Sequence, residues 1–210
     1  LWWYEWICER FGELPGAVWC VGQPEIWQIV CYYAGIFLLV FGRKYVEAWK
    51  RRGTYGEENV PGVIIHSNRF LHQIATVMIL GLLIGLLTGN FDRGSRVTFL
   101  DVGQGDGIVV ETGQGAYLFD CGSTSRKNIG EYVLKPYLKS RGICSLRGVF
   151  VSHPDEDHMN GVLELLENGE EWGITAEQLF LPAIRESERR ETFEQLLAAA
   201  EDAGIPVSYI

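Results

Sequence analysis

The segment that most restricts the fold of this chain is a polar loop, Ser152–His158, which directly follows a short apolar run. The run, residues 148–151, is β-branched and aromatic, which predicts the end of a buried strand. Imidazole and carboxylate groups in the loop suit ions such as Zn²⁺ or Mn²⁺. We expect a helix to begin near Asn160. The candidate metal ligands are His153, Asp155, Asp157 and His158.

The alternative interpretation of this loop is a solvated acidic turn with two surface histidines. The whole chain holds four His, and two of them flank the Asp-x-Asp core of the loop. Such a concentration after an apolar strand favours metal binding, because a tight turn could direct all four ligands into one cavity.

The spacing of the ligands resembles a known motif. His-x-Asp-x-Asp-His is similar to the His-x-His-x-Asp-His motif of metallo-β-lactamase-fold proteins, with Asp155 in place of the second His. The loop combines with Val-Thr-Phe-Leu-Asp-Val-Gly-Gln-Gly-Asp at residues 97–106 and with the segment Leu118–Gly122. This combination resembles the bacterial competence DNA-uptake channel family (the ComEC type), although the loop alone is shared with many hydrolases.

The region after residue 96 predicts short strands in a meander and then strands that alternate with helices. This order fits the first half of an α/β metallo-β-lactamase-like αβ/βα sandwich over residues 97–210. The fold expected for the whole chain is membrane helices followed by this half-sandwich. Because the chain starts at Leu1 without Met and stops at Ile210 within an expected strand, we expect a piece of a longer protein. The predicted strands are Val97–Val102, Ile108–Glu111, Ala116–Asp120, Arg147–Val151, Gln178–Leu181 and Pro206–Ile210. The predicted helices are Asn128–Arg141, kinked at Pro136, Gly161–Asn168, and Glu186–Ala203 before a Gly204 cap.

Two long apolar runs, residues 25–42 and residues 70–89, predict transmembrane helices, because such lengths approach the ~30 Å of a hydrocarbon core. The alternative is a pair of buried helices in a soluble protein. Gly81, Gly85 and Gly89 recur every four residues. In lipid such a stripe allows close approach of another helix, either from the same channel or from a homo-oligomer.

The flanks of these runs predict the membrane topology. Residues 1–24 are rich in Trp and Tyr, which favours an interfacial segment in contact with membrane lipid, although an aromatic core piece is the alternative. The loop 43–69 is basic, which predicts a cytoplasmic location, whereas contacts with DNA phosphates are the costlier explanation. We therefore expect a multi-pass protein of the bacterial cell membrane, with the hydrolase domain on the extracytoplasmic side.

The resemblance implies a role for each site residue. His153 and Asp155 would serve one metal, and Asp157 and His158 a second, with Asp157 also orienting the attacking water as a catalytic residue. An Asp in place of a His favours Mn²⁺ or Mg²⁺ relative to Zn²⁺. Further ligands of the family lie beyond this sequence, so only half of a two-metal site is expected. The residues expected to support the ligands are Asp101, Asp106 and Asp120, for which turn formation is the alternative role.

The function implied by the resemblance is DNA uptake in natural transformation, with a metal-dependent hydrolase domain that acts as a nuclease on the strand not imported. The alternatives are a membrane-anchored hydrolase of a small ester or phosphodiester, and a non-catalytic gate that guides DNA. Residues 97–210 hold nine Lys and Arg against nineteen Asp and Glu, so passive binding of DNA is disfavoured. Among the cysteines, Cys8 and Cys20 could pair if they face outside, and Cys31 is expected within the membrane.

Overall fold

The computed structural model describes residues 2–12, 20–53, 69–89, 94–184 and 191–210. The chain divides into two compact units, one formed by Pro24–Gly89 and the other by Leu1–Gln23 together with Asn90–Ile210. The helices of the described residues are α1 (Trp2–Gly12), α2 (Ile26–Gly53), α3 (Arg69–Thr88), α4 (Lys135–Arg141), α5 (Glu156–Trp172) and α6 (Glu191–Asp202). The strands are β1 (Arg96–Phe99), β2 (Gly107–Thr112), β3 (Gly115–Cys121), β4 (Ser145–Phe150), β5 (Thr175–Ala176), β6 (Leu179–Leu181) and β7 (Val207–Tyr209).

Within the described residues these strands form one mixed sheet in the order β1-β2-β3-β4-β6-β7, with β5 beside β4. Strands β1, β2 and β3 pair antiparallel as a meander. From β3 onward the pairs β3–β4, β4–β6 and β6–β7 are parallel, and helices precede β4, β6 and β7 in the chain. The predicted meander followed by alternating helices and strands is thus confirmed.

The two faces of the sheet differ. Alternate strand residues such as Leu118, Val149 and Leu179 are fully buried in a core shared with α4, α5 and α6, as the two-residue repeat of a strand requires. The next residues along, Phe119, Phe150 and Phe180, point to the opposite face. There their rings stack in parallel, with centroids 4.6 and 4.3 Å apart.

The aromatic face of the sheet is largely open. At its edge Val97 and Phe99 are exposed, Phe99 to 75%. Gly148 lies beneath the rings, because a Cβ there would approach Phe150 and Phe180 to 3.0 and 3.2 Å. A row of aromatic side chains therefore lies on the sheet face opposite to the one that packs against α4, α5 and α6.

The segment before β4 shows how the chain accommodates Pro136. Residues Gly130–Leu134 form a π-helical turn, and α4 follows with Pro136 in its first turn. Proline lacks an N–H and fits the start of a helix. The predicted kink is therefore a change from π-helical to α-helical turns. Helix α4 ends at Arg141, and Gly142 caps it in a left-handed conformation with φ 69°.

The helix after the polar loop begins earlier than predicted. Helix α5 starts at Glu156 rather than near Asn160, and Asp155 is its N-cap. Acidic residues stabilise the first turn of a helix through its dipole, so Glu156 and Asp157 suit these positions. Asp157 and His158 consequently lie on a helix and not in a loop.

The other unit contains α2 and α3. Gln28 is buried, and its Nε2 donates hydrogen bonds to the carbonyls of Leu86 and Gly89 at 2.6 and 2.9 Å, which caps the C-terminal end of α3. The two helices pack closely at Gly35, where a Cβ would lie 2.7 Å from Leu83.

The glycine stripe predicted for this unit lies outside the contact between its two helices. Substituents at Gly81 and Gly85 would meet nothing within 4 Å, so close approach of a further helix at this stripe stays a prediction. Helix α2 also continues to Gly53, into the predicted loop 43–69. Across the part of the chain that is described, no helix meets the combined length and apolarity needed to cross a membrane, which leaves the two predicted spans unconfirmed.

A disulfide joins Cys20 to Cys144, just before β4, across 124 residues of sequence. Nearby, the Gln23 N–H donates to the Ser140 carbonyl at 2.6 Å, and a Cβ on Gly22 would lie 3.1 Å from the backbone of Arg141. Cys20 therefore pairs within the sheet unit, and not with Cys8 as the sequence left open; Cys8 is free and exposed.

Removal of this bond should destabilise the sheet unit. Because a long closed loop restricts the unfolded chain, we expect Cys144→Ser to lower the free energy of unfolding by about 2–5 kcal/mol. Urea unfolding followed by tryptophan fluorescence measures the change. Cys8→Ser is the matched control and should leave the midpoint in place; equal midpoints for the two variants would contradict the predicted role of the bond.

Candidate metal centre

The carboxyl ends of β3 and β4 bring Asp120 beside the start of the polar loop. The two strands are parallel, with Phe119 opposite Phe150, so Asp120 lies next to the residues that follow β4. Asp120 is 8% exposed and adopts a left-handed conformation with φ 52°. Its Oδ1 accepts the Ser152 backbone N–H at 2.7 Å, and its Oδ2 accepts the Ser152 hydroxyl. Asp120 therefore fixes the beginning of the loop.

The same carboxylate orients His158. The Nδ1 of His158 lies 3.1 Å from Asp120 Oδ2 and 3.7 Å from Asp106 Oδ2. Because a carboxylate only accepts, Nδ1 carries the proton, and Nε2 keeps its lone pair in the neutral ring. Partial burial lowers the pKa of His158, but the hydrogen bond and charge of Asp120, with the charges of Asp157 and Asp106, outweigh it and raise the pKa.

The four predicted ligands form two pairs. His153 Nε2 lies 3.2 Å from Asp155 Oδ2, and His158 Nε2 lies 4.0 Å from Asp157 Oδ1. The centroids of the two imidazoles are 6.1 Å apart. Over the described residues, no three His, Cys, Asp or Glu side chains meet the geometry of a metal site. The structure thus brings the predicted ligands into one region, whereas their role as ligands stays a prediction.

The donor atoms of this region fit a divalent metal in kind. A ligating His commonly donates its other ring N–H to a carboxylate, and Asp120 holds His158 in that arrangement, with Nε2 directed to the Asp157 side. The Nε2 atom of each of these two His lies near one carboxylate oxygen, and imidazole nitrogen with carboxylate oxygen is a donor set that zinc and manganese accept. The pairs have room to adjust, since His153 is 62% exposed.

Backbone contacts fix the first turn of α5 against the loop that follows β1. The Asp106 N–H donates to the Asp157 carbonyl at 3.1 Å, and the Gly122 N–H donates to the Asp106 carbonyl at 2.9 Å. A Cβ on Gly105 would lie 2.2 Å from the Gly122 oxygen, and one on Gly122 would lie 2.3 Å from the Asp157 backbone. Glycine is therefore required at both positions, and the Gly-Gln-Gly-Asp turn closes on the predicted ligands.

The three predicted supporting aspartates occupy different environments. Asp120 contacts His158 directly, and Asp106 lies near the same imidazole while its backbone bonds Asp157. Asp101, in contrast, is 84% exposed and pairs with Arg126 at 3.3 Å. Asp120 and Asp106 are therefore placed to orient ligands, whereas the ion pair of Asp101 braces the neighbouring loop.

A cavity of about 410 Å³ lies beside Asp155 and Asp157, the predicted carboxylate ligands. Its lining includes acidic side chains from two helices, so it carries concentrated negative charge. The sequence did not predict the cavity-lining residues that lie outside the polar loop. It also did not predict the contact of Ser152 with Asp120, which forms only because β3 pairs with β4. The lining residues are Thr124, Asp155, Glu156, Asp157, Glu191 and Thr192.

The sequence of this chain is similar to one protein family and to two known proteins. Residues 100–174 match the sequence model of the Metallo-beta-lactamase superfamily. The chain is 28% identical over 129 residues to ComE operon protein 3 of Bacillus subtilis strain 168, covering 55% of this chain and 16% of that protein. It is 31% identical over 147 residues to Recombination protein 2 of Haemophilus influenzae strain Rd, covering 64% of this chain and 18% of that protein. The match thus spans less than a fifth of either relative, and the resemblance to the competence family is confirmed.

Asp120 and Asp101 give a matched test of this arrangement. Asp120→Asn keeps the shape but places an amide against donors that need a carboxylate, so we expect the free energy of unfolding to fall by about 1–3 kcal/mol. Asp101→Asn at the exposed site should change it by about 0.5 kcal/mol or less. Urea unfolding in EDTA measures both, and an equal loss in the two variants would contradict the assigned support by Asp120.

Proposed function

We propose that this chain, whose residues 100–174 match the metallo-beta-lactamase superfamily, is part of a membrane DNA-uptake channel and carries a metal-dependent nuclease. The nuclease would degrade one strand while the other is imported. The observation that carries the proposal is His158, held through Nδ1 by Asp120 with Nε2 on the Asp157 side. That arrangement is the one in which imidazole serves as a metal ligand.

The residues would divide their work by pairs. His153 and Asp155 would hold one divalent ion, and Asp157 and His158 a second, with manganese, magnesium and zinc as the candidates. When bound, ions of this kind would lower the pKa of coordinated water, to about 7 in the case of zinc, and would neutralise phosphate charge. Asp157 would also accept a hydrogen bond from the attacking water and so orient it. Asp120 would keep His158 in the required tautomer and would fix the loop through Ser152.

The charge of the site supports a role for cations in substrate binding. Asp155, Asp157 and Glu191 line one cavity, and the second half of the chain is acidic. A phosphodiester would be repelled by this surface unless divalent ions offset its charge. We therefore expect DNA binding by this domain to depend on added metal more than on surface lysines and arginines.

The open aromatic face supports the proposed αβ/βα sandwich. Phe119, Phe150 and Phe180 stack on the face opposite α4, α5 and α6, and Phe99 at the edge is 75% exposed. Exposed apolar patches of this kind mark interfaces. A second sheet would bury these rings at the usual spacing of about 10 Å. We propose that the second half of the fold covers this face and contributes the remaining metal ligands.

Two observations support a membrane location with the sheet unit outside the cytoplasm. Helices α2 and α3 carry exposed apolar side chains, including Phe37, Leu38, Met78 and Leu82, which suit lipid or other helices of the channel, from the same chain or from a homo-oligomer. The Cys20–Cys144 disulfide favours an oxidising compartment. Residues 1–24 would then lie at the membrane interface and residues 43–69 on the cytoplasmic side.

Two other functions use the same residues differently. A membrane-anchored hydrolase of a small ester or phosphodiester would share the metal pairs but would not need a DNA-sized opening. A DNA-guiding gate would keep the fold with a structural metal and without hydrolysis. Faster cleavage of DNA than of small phosphodiesters would distinguish the nuclease from the small-substrate hydrolase. Any catalytic turnover would distinguish the nuclease from the non-catalytic gate.

Asp157 gives the direct test of the chemistry. We expect Asp157→Asn, in a protein that also contains the second half of the fold, to lower the rate of DNA cleavage by about 100-fold or more, because the ligand charge that holds the metal is lost. Cleavage of single- and double-stranded DNA is measured with Mn²⁺, Mg²⁺ and Zn²⁺ in turn.

The matched control for this test is Glu167→Gln. Glu167 is exposed on the same helix, α5, well away from the predicted ligands. The Glu167→Gln variant should therefore cleave DNA as fast as the unchanged protein. Full activity in Asp157→Asn would overturn the ligand assignment. Turnover by neither protein with any metal would instead favour the gate.

The topology has a separate test in intact cells. We expect a membrane-impermeant maleimide to label Arg93→Cys but not Gly53→Cys, since residues 43–69 would face the cytoplasm. Cys8 and Cys31 are replaced to remove free thiols, whereas Cys20 and Cys144 are kept because their disulfide does not react. Labelling at residue 53 alone would place the hydrolase domain in the cytoplasm and contradict the proposal.

A further inference from the structure

Asn160 makes a paired contact that the proposed chemistry does not use. Its Oδ1 accepts the Ser123 backbone N–H at 3.1 Å, and its Nδ2 donates to the Ser123 carbonyl at 2.7 Å. Ser123 is 2% exposed, so water cannot easily replace either partner. One amide side chain thus satisfies both backbone groups of a buried residue in the loop after β3.

The two sides of this contact belong to the two halves of the candidate metal centre. Asn160 lies on α5, three residues after Asp157 and two after His158. Ser123 lies three residues after Asp120, which binds His158. The amide therefore connects the element that carries the ligands with the element that orients one of them.

Other contacts hold this part of α5 through different groups. The Asp106 N–H, from the loop after β1, donates to the Asp157 carbonyl, and Asp120 binds the His158 side chain. Gly161 packs against Cys121, where a Cβ would lie 2.8 Å from the Sγ, which sets how closely α5 approaches the end of β3. The two hydrogen bonds of the Asn160 amide to Ser123 also fix the orientation of α5 relative to the loop after β3, because both can form only in one geometry.

We propose that Asn160 is a positioning residue for the metal centre. Through Ser123 it holds the first turn of α5 so that Asp157 and His158 Nε2 face the same space. The effect of Asn160 on metal binding rests on the proposed function. Its hydrogen bonds to Ser123 position α5 whether or not metal is bound. Support of this kind typically changes metal affinity by about 10–100-fold.

The test compares Asn160→Ala with Asn168→Ala in a protein that also contains the second half of the fold, as in the cleavage test above. Asn168 lies on the same helix, and its Nδ2 donates within the helix to the Glu164 carbonyl at 2.9 Å, so it matches the loss of an amide without touching β3. Titration with Co²⁺ alone, followed by its visible absorption, measures affinity and ligand geometry. We expect about 10–100-fold weaker binding and an altered spectrum in Asn160→Ala only.

Amide hydrogen exchange provides a readout that needs no metal. In Asn160→Ala the Asp106 N–H, which bonds the Asp157 carbonyl, should exchange faster, whereas in Asn168→Ala it should keep its protection. Unchanged protection in Asn160→Ala would overturn the positioning role. Faster exchange together with no Co²⁺ binding by the unchanged protein would support the positioning role and would count against the proposed metal function instead.

Discussion

The structure of the candidate centre depends on the close contact between the end of β3 and the first turn of α5. Gly122 has no side chain, and a Cβ there would lie 2.3 Å from the Asp157 backbone. This approach lets the buried Asp120, which the pairing of β3 with β4 places beside Ser152, also reach His158. Interiors are close-packed and transmit small displacements, so a shift at Gly122 would move the ligands as a group.

Charge limits what this contact can achieve without cations. Asp106, Asp120 and Asp157 all act on His158 and raise its pKa against the opposing effect of partial burial. Carboxylates held near one another repel, and here three of them share the one imidazole of His158. A multivalent ion would offset more of this negative charge than a single imidazole does.

The order of strands and helices along the chain and the region of the candidate site were predictable from the sequence. Alternation of apolar and polar residues and Gly-rich turns are local signals. The start of α5 was missed, because Asp155, Glu156 and Asp157 were interpreted as a polar loop although acidic residues also favour a helix N-terminus. The partner of Cys20 lies 124 residues away, and no local pattern specifies such a pairing. Ser123 and Asn160 were equally hidden, since their contact exists only after β3 and α5 pack.

The disulfide also has a consequence for biosynthesis. Because α2 and α3 lie between Cys20 and Cys144, the bond cannot close until both helices have left the ribosome. At about 5–20 residues per second, the separation of 124 positions corresponds to a wait of roughly 6–25 s. During that interval the Cys20 thiol has Cys8 and Cys31 as earlier neighbours in the chain, so the native pairing depends on how quickly the nascent sheet unit presents Cys144.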